Sequence, residues 1–441
     1  MRMIAFVGSL LALCVAHAEP PPNLRAADLL PAAKLAGAHY TIAQDVGSDG
    51  FLLDFVVFSD FGPFHARGPG LIDRRIAEVQ SLVALESMGS SAAFKEGFAN
   101  AAKFTAHQVG DIVTNPVGTL TGIPGGVGRF FSRTTLTAQT HMAKINDQQA
   151  AQNGTLPASG PGSKLPGLPA APAPVAVGST SVEAAKMTGG VVADAFGYTR
   201  VRGAIAQSVN ADPYTTNPVL RARLDELGRV AFLGNLGVSA IKASVPASFV
   251  VGAVGVTSTW VWDTPPGDIL VSNQQALLAM GAGQLQVDAV INHALISLTM
   301  QVRLVRALQR LKGVTGLSDA LTLVSTTTSE EQAEFVINTV EMLAYYHEKK
   351  APLVSVHERG TLMGQTAQAE LVLVAPVDYV VWTAALGQFL DHDDVKAGKR
   401  SLWLTGQLSP PLLATLQAAG WMITQNLDWA PVLPQALTAS E

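Results

Sequence analysis

Twenty consecutive residues without a charge, Ala243 to Trp262 (ASVPASFVVGAVGVTSTWVW), set the first constraint on this chain. Their length is about that of a helix crossing a hydrocarbon core of roughly 30 Å, so the stretch belongs either in a membrane or inside the protein. Pro246, Gly252, Gly255, several serines and threonines and the lack of Leu and Ile make membrane insertion unfavourable. Trp260 and Trp262, by contrast, suit an interface. The neighbouring sequence reads as capped, amphipathic helices that need an apolar surface to pack on. The stretch is therefore expected at the buried centre of a helical domain, with a membrane segment as the rival reading.

The chain opens MRMIAFVGSLLALCVAHA: one early cation, an apolar run from Met3 to Ala16, and the small-x-small triplet Ala16-His17-Ala18. This is the pattern of a cleaved secretory signal, with the mature chain starting near Glu19. The rival is lipid attachment at Cys14, although Leu11-Ala12-Leu13-Cys14 has Leu where a lipobox usually carries Gly or Ala. Cys14 is the only cysteine. Processing after Ala18 leaves none, which excludes disulfides, thiolate metal sites and thiol nucleophiles together. A periplasmic or secreted protein of this kind holds itself together by core area alone.

Charge points the same way. A net charge of -5 argues against nucleic acid as a partner. Only 14% of residues are charged and 48% are hydrophobic, against a usual charged share of about 25%. Much of the surface is expected to face something other than bulk water, which fits self-association or a membrane-apposed protein.

The expected fold class is α+β: a mainly helical central region, a small N-terminal β-meander and a small mixed C-terminal sheet containing a β-α-β unit. After the signal (1–18), residues 19–150 read as a hairpin plus helices. Tyr40 to Ala43 and Phe51 to Phe58 flank the turn Gly47-Ser48-Asp49-Gly50, Phe61 to Gly68 adds a third strand, and a helix starts near Leu71. A second helix covers Ser91 to Val113, with Phe94, Phe98 and Ala101 on its apolar stripe. Residues 151–181 are a Pro/Ala/Gly-rich linker. A helical domain fills 182–350, with Asn217-Pro218 starting one helix, helical sequence from Ser272 to Lys312, and Ser329 capping another with Gln332 at the capping-box position. Residues 351–441 form the α/β part. Ser409 as N-cap, Pro410 as first helical residue and Gly420 as stop set a helix between strands at Leu402 and Trp421.

Chemical motifs are absent: no GxSxG, HExxH, P-loop or EF-hand pattern occurs. No cofactor and no metal site is expected. Two stretches offer contact with an anionic membrane surface or an envelope protein. One is the apolar Pro/Gly segment ending in Arg129, Phe130 and Phe131, whose alternative is a buried turn. The other is the run from Asp288 to Asp319, which holds no acid between its ends while Arg303, Arg306 and Arg310 repeat at helical spacing; its alternative is a solvated helix face. The order of hairpin, amphipathic helix and Pro/Gly/Phe segment resembles that of bacterial exported proteins, which implies an address and no chemistry. The chain thus reads as an exported envelope protein, a non-enzymatic binding or scaffold component. The competing expectation is a periplasmic hydrolase or small-ligand-binding protein with a site near His357, Asp378 or Asp391.

Overall fold

The computed structural model describes residues 19, 24–108, 197–246, 259–396 and 398–429. The leader 1–18, the segment carrying Arg129, Phe130 and Phe131, the linker 151–181 and residues 247–258 lie outside them. The fold is α+β, with an antiparallel N-terminal sheet and a mixed C-terminal sheet. It divides into two compact units. One draws on Met1–Val79, Met280–Ile296 and Arg303–Val432, the other on Gln80–Ala279, Ser297–Val302 and Leu433–Glu441.

In the first unit, strands β1 (Leu24–Arg25), β2 (Ala36–Gly37), β3 (Tyr40–Ile42), β4 (Asp45–Ser48), β5 (Leu53–Ser59) and β6 (Gly62–Arg67) form the N-terminal sheet. Strand β5 is its axis, pairing with β3 and β4 along one edge and with β6 along the other, all antiparallel. Strict alternation makes this possible, since Leu53, Phe55 and Val57 on β5 and Phe64 and Ala66 on β6 face inward while Phe58, His65 and Arg67 face out. The expected third strand and following helix, Leu71–Gly89, are present, but the hairpin is corrected: Gly47 and Ser48 lie in β4 and not in the turn, so the strand that turns into β5 is β4, while Tyr40–Ile42 pairs with β5 farther along the same edge.

The C-terminal sheet has the order β13-β11-β9-β8-β7. Strands β7 (Leu353–Glu358), β8 (Leu362–Thr366) and β9 (Leu371–Ala375) run as an antiparallel meander. Strands β11 (Arg400–Leu404) and β13 (Trp421–Thr424) continue parallel to β9, and β10 (Tyr379–Val380) pairs with β12 (Gln407–Leu408) beside them. Between β11 and β13 lies the helix Pro410–Ala418, capped by the Ser409 hydroxyl, which accepts from Leu412 N, and stopped at Gly420 with φ +83°. This is the expected β-α-β unit. Leu402, Leu404, Leu412, Leu416 and Trp421 pack with Met363, Val377 and Val395 into one core, and Phe51 and Leu52 of the N-terminal hairpin lie against it. The helix Glu330–Lys349 covers β8 and β9. Its Ser329 cap accepts from Gln332 N, and Gln332 Oε1 accepts from Thr328 N.

Two further expectations are corrected. The helical sequence from Ser272 to Lys312 is three helices, Pro266–Ala279, Gln284–Ile291 and Leu298–Arg310. The first break falls at Gly281, whose φ of +85° a side chain would resist, and the second at 292–297. The run Tyr379 to Thr383 pairs as a strand only over Tyr379–Val380, because the Thr383 hydroxyl turns to cap the helix Ala384–Leu390 by accepting from Leu386 N.

In the second unit, Asn217 caps Pro218–Leu233 as expected, its Oδ1 accepting from Val219 N at 3.0 Å and Leu220 N at 3.3 Å. That helix meets Ala92–Gln108 where Gly234 abuts the Gly97 backbone, too close for a side chain at Gly234. Of the uncharged stretch Ala243 to Trp262 the two ends are described: at the first, Ala243 is exposed and Ser244, Val245 and Pro246 are half-buried, whereas the second is packed inside this unit. Val261 is buried with Ile269 and Val302, and the Trp262 indole N–H donates to Ala211 O at 2.8 Å. Among the described residues no helix is long and apolar enough to cross a membrane.

Candidate functional site

The three arginines on Leu298–Arg310 do not share one open face. Arg303 is 4% exposed. Its Nε and Nη2 donate to the two oxygens of Glu341 at 3.0 and 2.8 Å, its Nη1 to Glu334 at 2.7 Å, and Nη2 also to Asn338 Oδ1. Arg74 donates to the other Glu334 oxygen at 2.7 Å. Burial opposes charge on Glu334, yet Arg303 and Arg74 outweigh it and hold the carboxyl well below the usual carboxylate range. Arg310 forms a fork with Glu348 at 2.9 and 2.7 Å. Burial pushes the half-exposed Arg306 guanidinium down to about 10, which leaves it charged at neutral pH. Arg303 is therefore turned inward and committed to protein carboxylates. Arg129, Phe130 and Phe131 fall outside the described residues.

His357, Asp378 and Asp391 are not gathered around one cavity. His357 is exposed on β7, the edge strand, and Asp391 is exposed and pairs with Lys396 at 3.1 Å. Asp378 sits where the N-terminal hairpin is stitched to the C-terminal sheet. Its N–H donates to Phe51 O, its Oδ2 accepts from Leu53 N at 2.9 Å, and its carbonyl accepts from Gln407 N. Val381 N donates to Gly50 O, and the Glu19 carboxylate accepts from both Trp382 N and the Ser409 hydroxyl. Gly406 permits this crossing, since a side chain there would overlap the Asp378 backbone. Burial raises the Asp378 carboxyl to about 6; the Leu53 N–H opposes the rise and nearby Asp49 adds to it. Asp49 itself stays below its ordinary value. Burial would raise it, but N–H groups of Leu52 and Phe51 and the Arg67 guanidinium prevail.

One cleft of about 420 Å³ opens in the C-terminal α/β part, lined by Arg359, Gly360, Ala385, Gln388, Phe389, His392 and Val395. Its size is within the usual range for small-molecule sites. The β7–β8 turn supplies one wall. Arg359 N donates to Thr361 O, Arg359 Nη1 to Glu358 O, and Gly360 N to the Glu358 carboxylate, so the turn is fixed by its own polar groups. The opposite wall is the helix Ala384–Leu390 and the turn after it, where His392 N donates to Phe389 O and Val395 N to His392 O. Phe389 also packs on the sheet core, which sets its ring in place. The lining offers a guanidinium, an imidazole, an amide and an aromatic ring. Among the described lining residues there is no carboxylate, hydroxyl or thiol. No group of three or more His, Cys, Asp or Glu side chains among the described residues is placed to hold a metal ion.

Sequence reasoning reached neither the cleft nor strand β8, which forms half of its hairpin. Gly364 and Gln365 interrupt the apolar run of β8, and Arg359 and His392 are 33 residues apart with no shared motif. A comparison with protein families, with characterised proteins and with solved structures finds no match for this chain.

Proposed function

We propose that the protein is an exported, non-enzymatic binding component of the bacterial envelope, and that it binds through the cleft of its C-terminal α/β part. The observation that carries this reading is the composition of the cleft. Among the described lining residues the imidazole of His392 is the one group suited to moving a proton, and no hydroxyl or thiol nucleophile stands beside it. This lining instead presents donors and an aromatic surface, the usual make-up of a site that orients a ligand and releases it unchanged. Export rests on the leader sequence, and the scarcity of charge supports a setting at a surface or among partners.

Ligand-detected NMR on the purified protein with a library of small aromatic molecules tests the reading. Hits that disappear in Phe389→Asp support it. Hits that persist in that variant, or turnover of ester or amide substrates that it abolishes, count against it. Release of the protein by osmotic shock checks the proposed address; retention in the cytoplasmic fraction would refute it.

A further inference from the structure

Within that binding reading, on which this inference rests, we infer that the N-terminal region regulates the cleft: Glu19 and the hairpin turn at Gly50 clamp the start of the helix Ala384–Leu390, so that closure of the clamp and occupancy of the cleft favour each other. This helix is the weakly anchored wall. It has seven residues, too few for a helix to persist by itself, and all of them are described without one being fully buried. Leu386, Phe389 and Leu390 rest on the sheet core only in part. The facing wall, the β7–β8 turn, is fixed by its own hydrogen bonds. The width of the cleft therefore depends on what holds the helix where it begins.

That hold comes from residues more than 300 positions earlier in the chain. Val381 N donates to Gly50 O at 3.0 Å, Glu19 N donates to Trp382 O at 2.9 Å, and Trp382 N donates to Glu19 Oε1 at 3.2 Å. The same Glu19 oxygen accepts from the Ser409 hydroxyl at 2.8 Å, which ties the clamp to the cap of the helix Pro410–Ala418. Thr383, the cap of the cleft helix, is packed on the turn. A side chain at Gly50 would begin 2.9 Å from Thr383 Cγ2 and 3.3 Å from Val381 Cγ2. Trp382 carries the hold onward, because its indole lies against Gly387, where a Cβ would stand 3.4 Å from Trp382 Cζ2. Gln388 and Phe389, the next residues, line the cleft. A shift at Glu19 or Gly50 thus reaches the lining through packed groups, and linkage requires that a ligand favouring one helix position favour the clamp equally.

Titration of 2-naphthol, a neutral fluorescent aromatic, into the purified protein measures this coupling, with the cleft assigned by loss of the signal in Phe389→Asp. Glu19→Ala removes the acceptor for Trp382 N and the Ser409 hydroxyl, and is expected to weaken 2-naphthol about fivefold or more, the lower end of coupling between sites. Glu19→Gln keeps an Oε1 acceptor and should restore most of the affinity. Gly50→Ala should weaken binding too, but its φ of +90° also strains any side chain there. Amide exchange in the unsubstituted protein supplies the independent check: saturating 2-naphthol should slow exchange at Val381 and Trp382. Arg310→Ala, in the same unit and away from the clamp, should leave binding unchanged. Cleft binding indifferent to Glu19→Ala, with exchange at Val381 and Trp382 unaltered by 2-naphthol, overturns the clamp and leaves the cleft as a binding site. Equal weakening by Glu19→Ala and Arg310→Ala overturns it as well, since that is general destabilisation. If neither 2-naphthol nor the aromatic library gives a signal sensitive to Phe389→Asp, the binding reading and this inference fall together.

Discussion

Two places in the first unit remove charge from water, and they do it in opposite ways. Around Arg303, every buried charge has a partner of opposite sign, with Asn338 completing the set. At the hairpin seam, Asp378 has one N–H donor and another acid, Asp49, for company. Burial acts on both carboxylates in the same direction. Cations reverse its effect on Glu334, whereas nothing reverses it on Asp378. The contrast shows that burial alone does not fix the protonation state of an acid here; the identity of the neighbour does. It also separates two roles. The Arg303 network braces helices against each other, while Asp378 makes a seam whose strength depends on pH.

The sharpest way to break this contrast is Arg303→Met. It leaves Glu334 and Glu341 buried with too little positive charge, so urea unfolding should show a loss of about 3–5 kcal/mol. Replacing Glu341 with Leu in the same chain should recover part of it. A loss under about 1 kcal/mol would mean that the network is solvated and not a brace.

At the seam, Gly406→Ala places a methyl group on the Asp378 carbonyl. Relieving that overlap moves β12 off β10 and costs about 1–3 kcal/mol. A wild-type melting temperature in this variant would show that the seam is slack.

Asp378→Asn tests the sign. The carboxyl is raised from 3.8 to about 6 in the folded protein, so the folded state keeps its proton while the unfolded state loses it. Stability therefore falls as pH rises from about 4 to 6 and stays reduced above. The full shift corresponds to at most about 3 kcal/mol. Asn keeps an acceptor for Leu53 N, so the variant should gain about 1–2 kcal/mol at pH 7.5 and lose the slope between pH 4 and 6. Glu334 works the other way: its contribution is present above its ordinary range near 4.5 and is lost as acid titrates it below that. An Asp378→Asn protein with the wild-type pH profile would remove the distinction between the two places.

The smallest effect is expected at Arg310→Ala. Its fork with Glu348 is partly exposed, so the change should cost no more than about 1 kcal/mol and shrink further in high salt. A larger loss would extend the brace to the end of the helix.

Legibility in the sequence followed the range of the interaction. Alternation at Leu53 to Val57 and caps at Asn217, Ser329 and Ser409 are local, and each element they specify is present. The arginine repeat was visible, but its meaning was not. Both readings of Arg303, Arg306 and Arg310 looked outward, since the stretch itself holds no acid. The acids are supplied by the next long helix, where Glu334, Glu341 and Glu348 recur every seven residues, the same interval that separates Arg303 from Arg310. Matching the two repeats would have revealed the pairing. The Asp378 seam and the Arg359–His392 cleft are brought together by tertiary packing between distant segments and leave no periodic trace.

The seam also bears on the order of events in time. Leu53 meets Asp378 across 325 residues, and Glu19 meets Ser409 across 390. A chain emerging N-terminus first cannot close the first unit until β12 and the segment after it have been made, so the apolar faces of Phe51 and Leu52 wait without their core through almost the whole of synthesis. Contacts of such sequence separation slow folding. Maturation of this unit is expected to be a late, single closing step that follows completion of the chain.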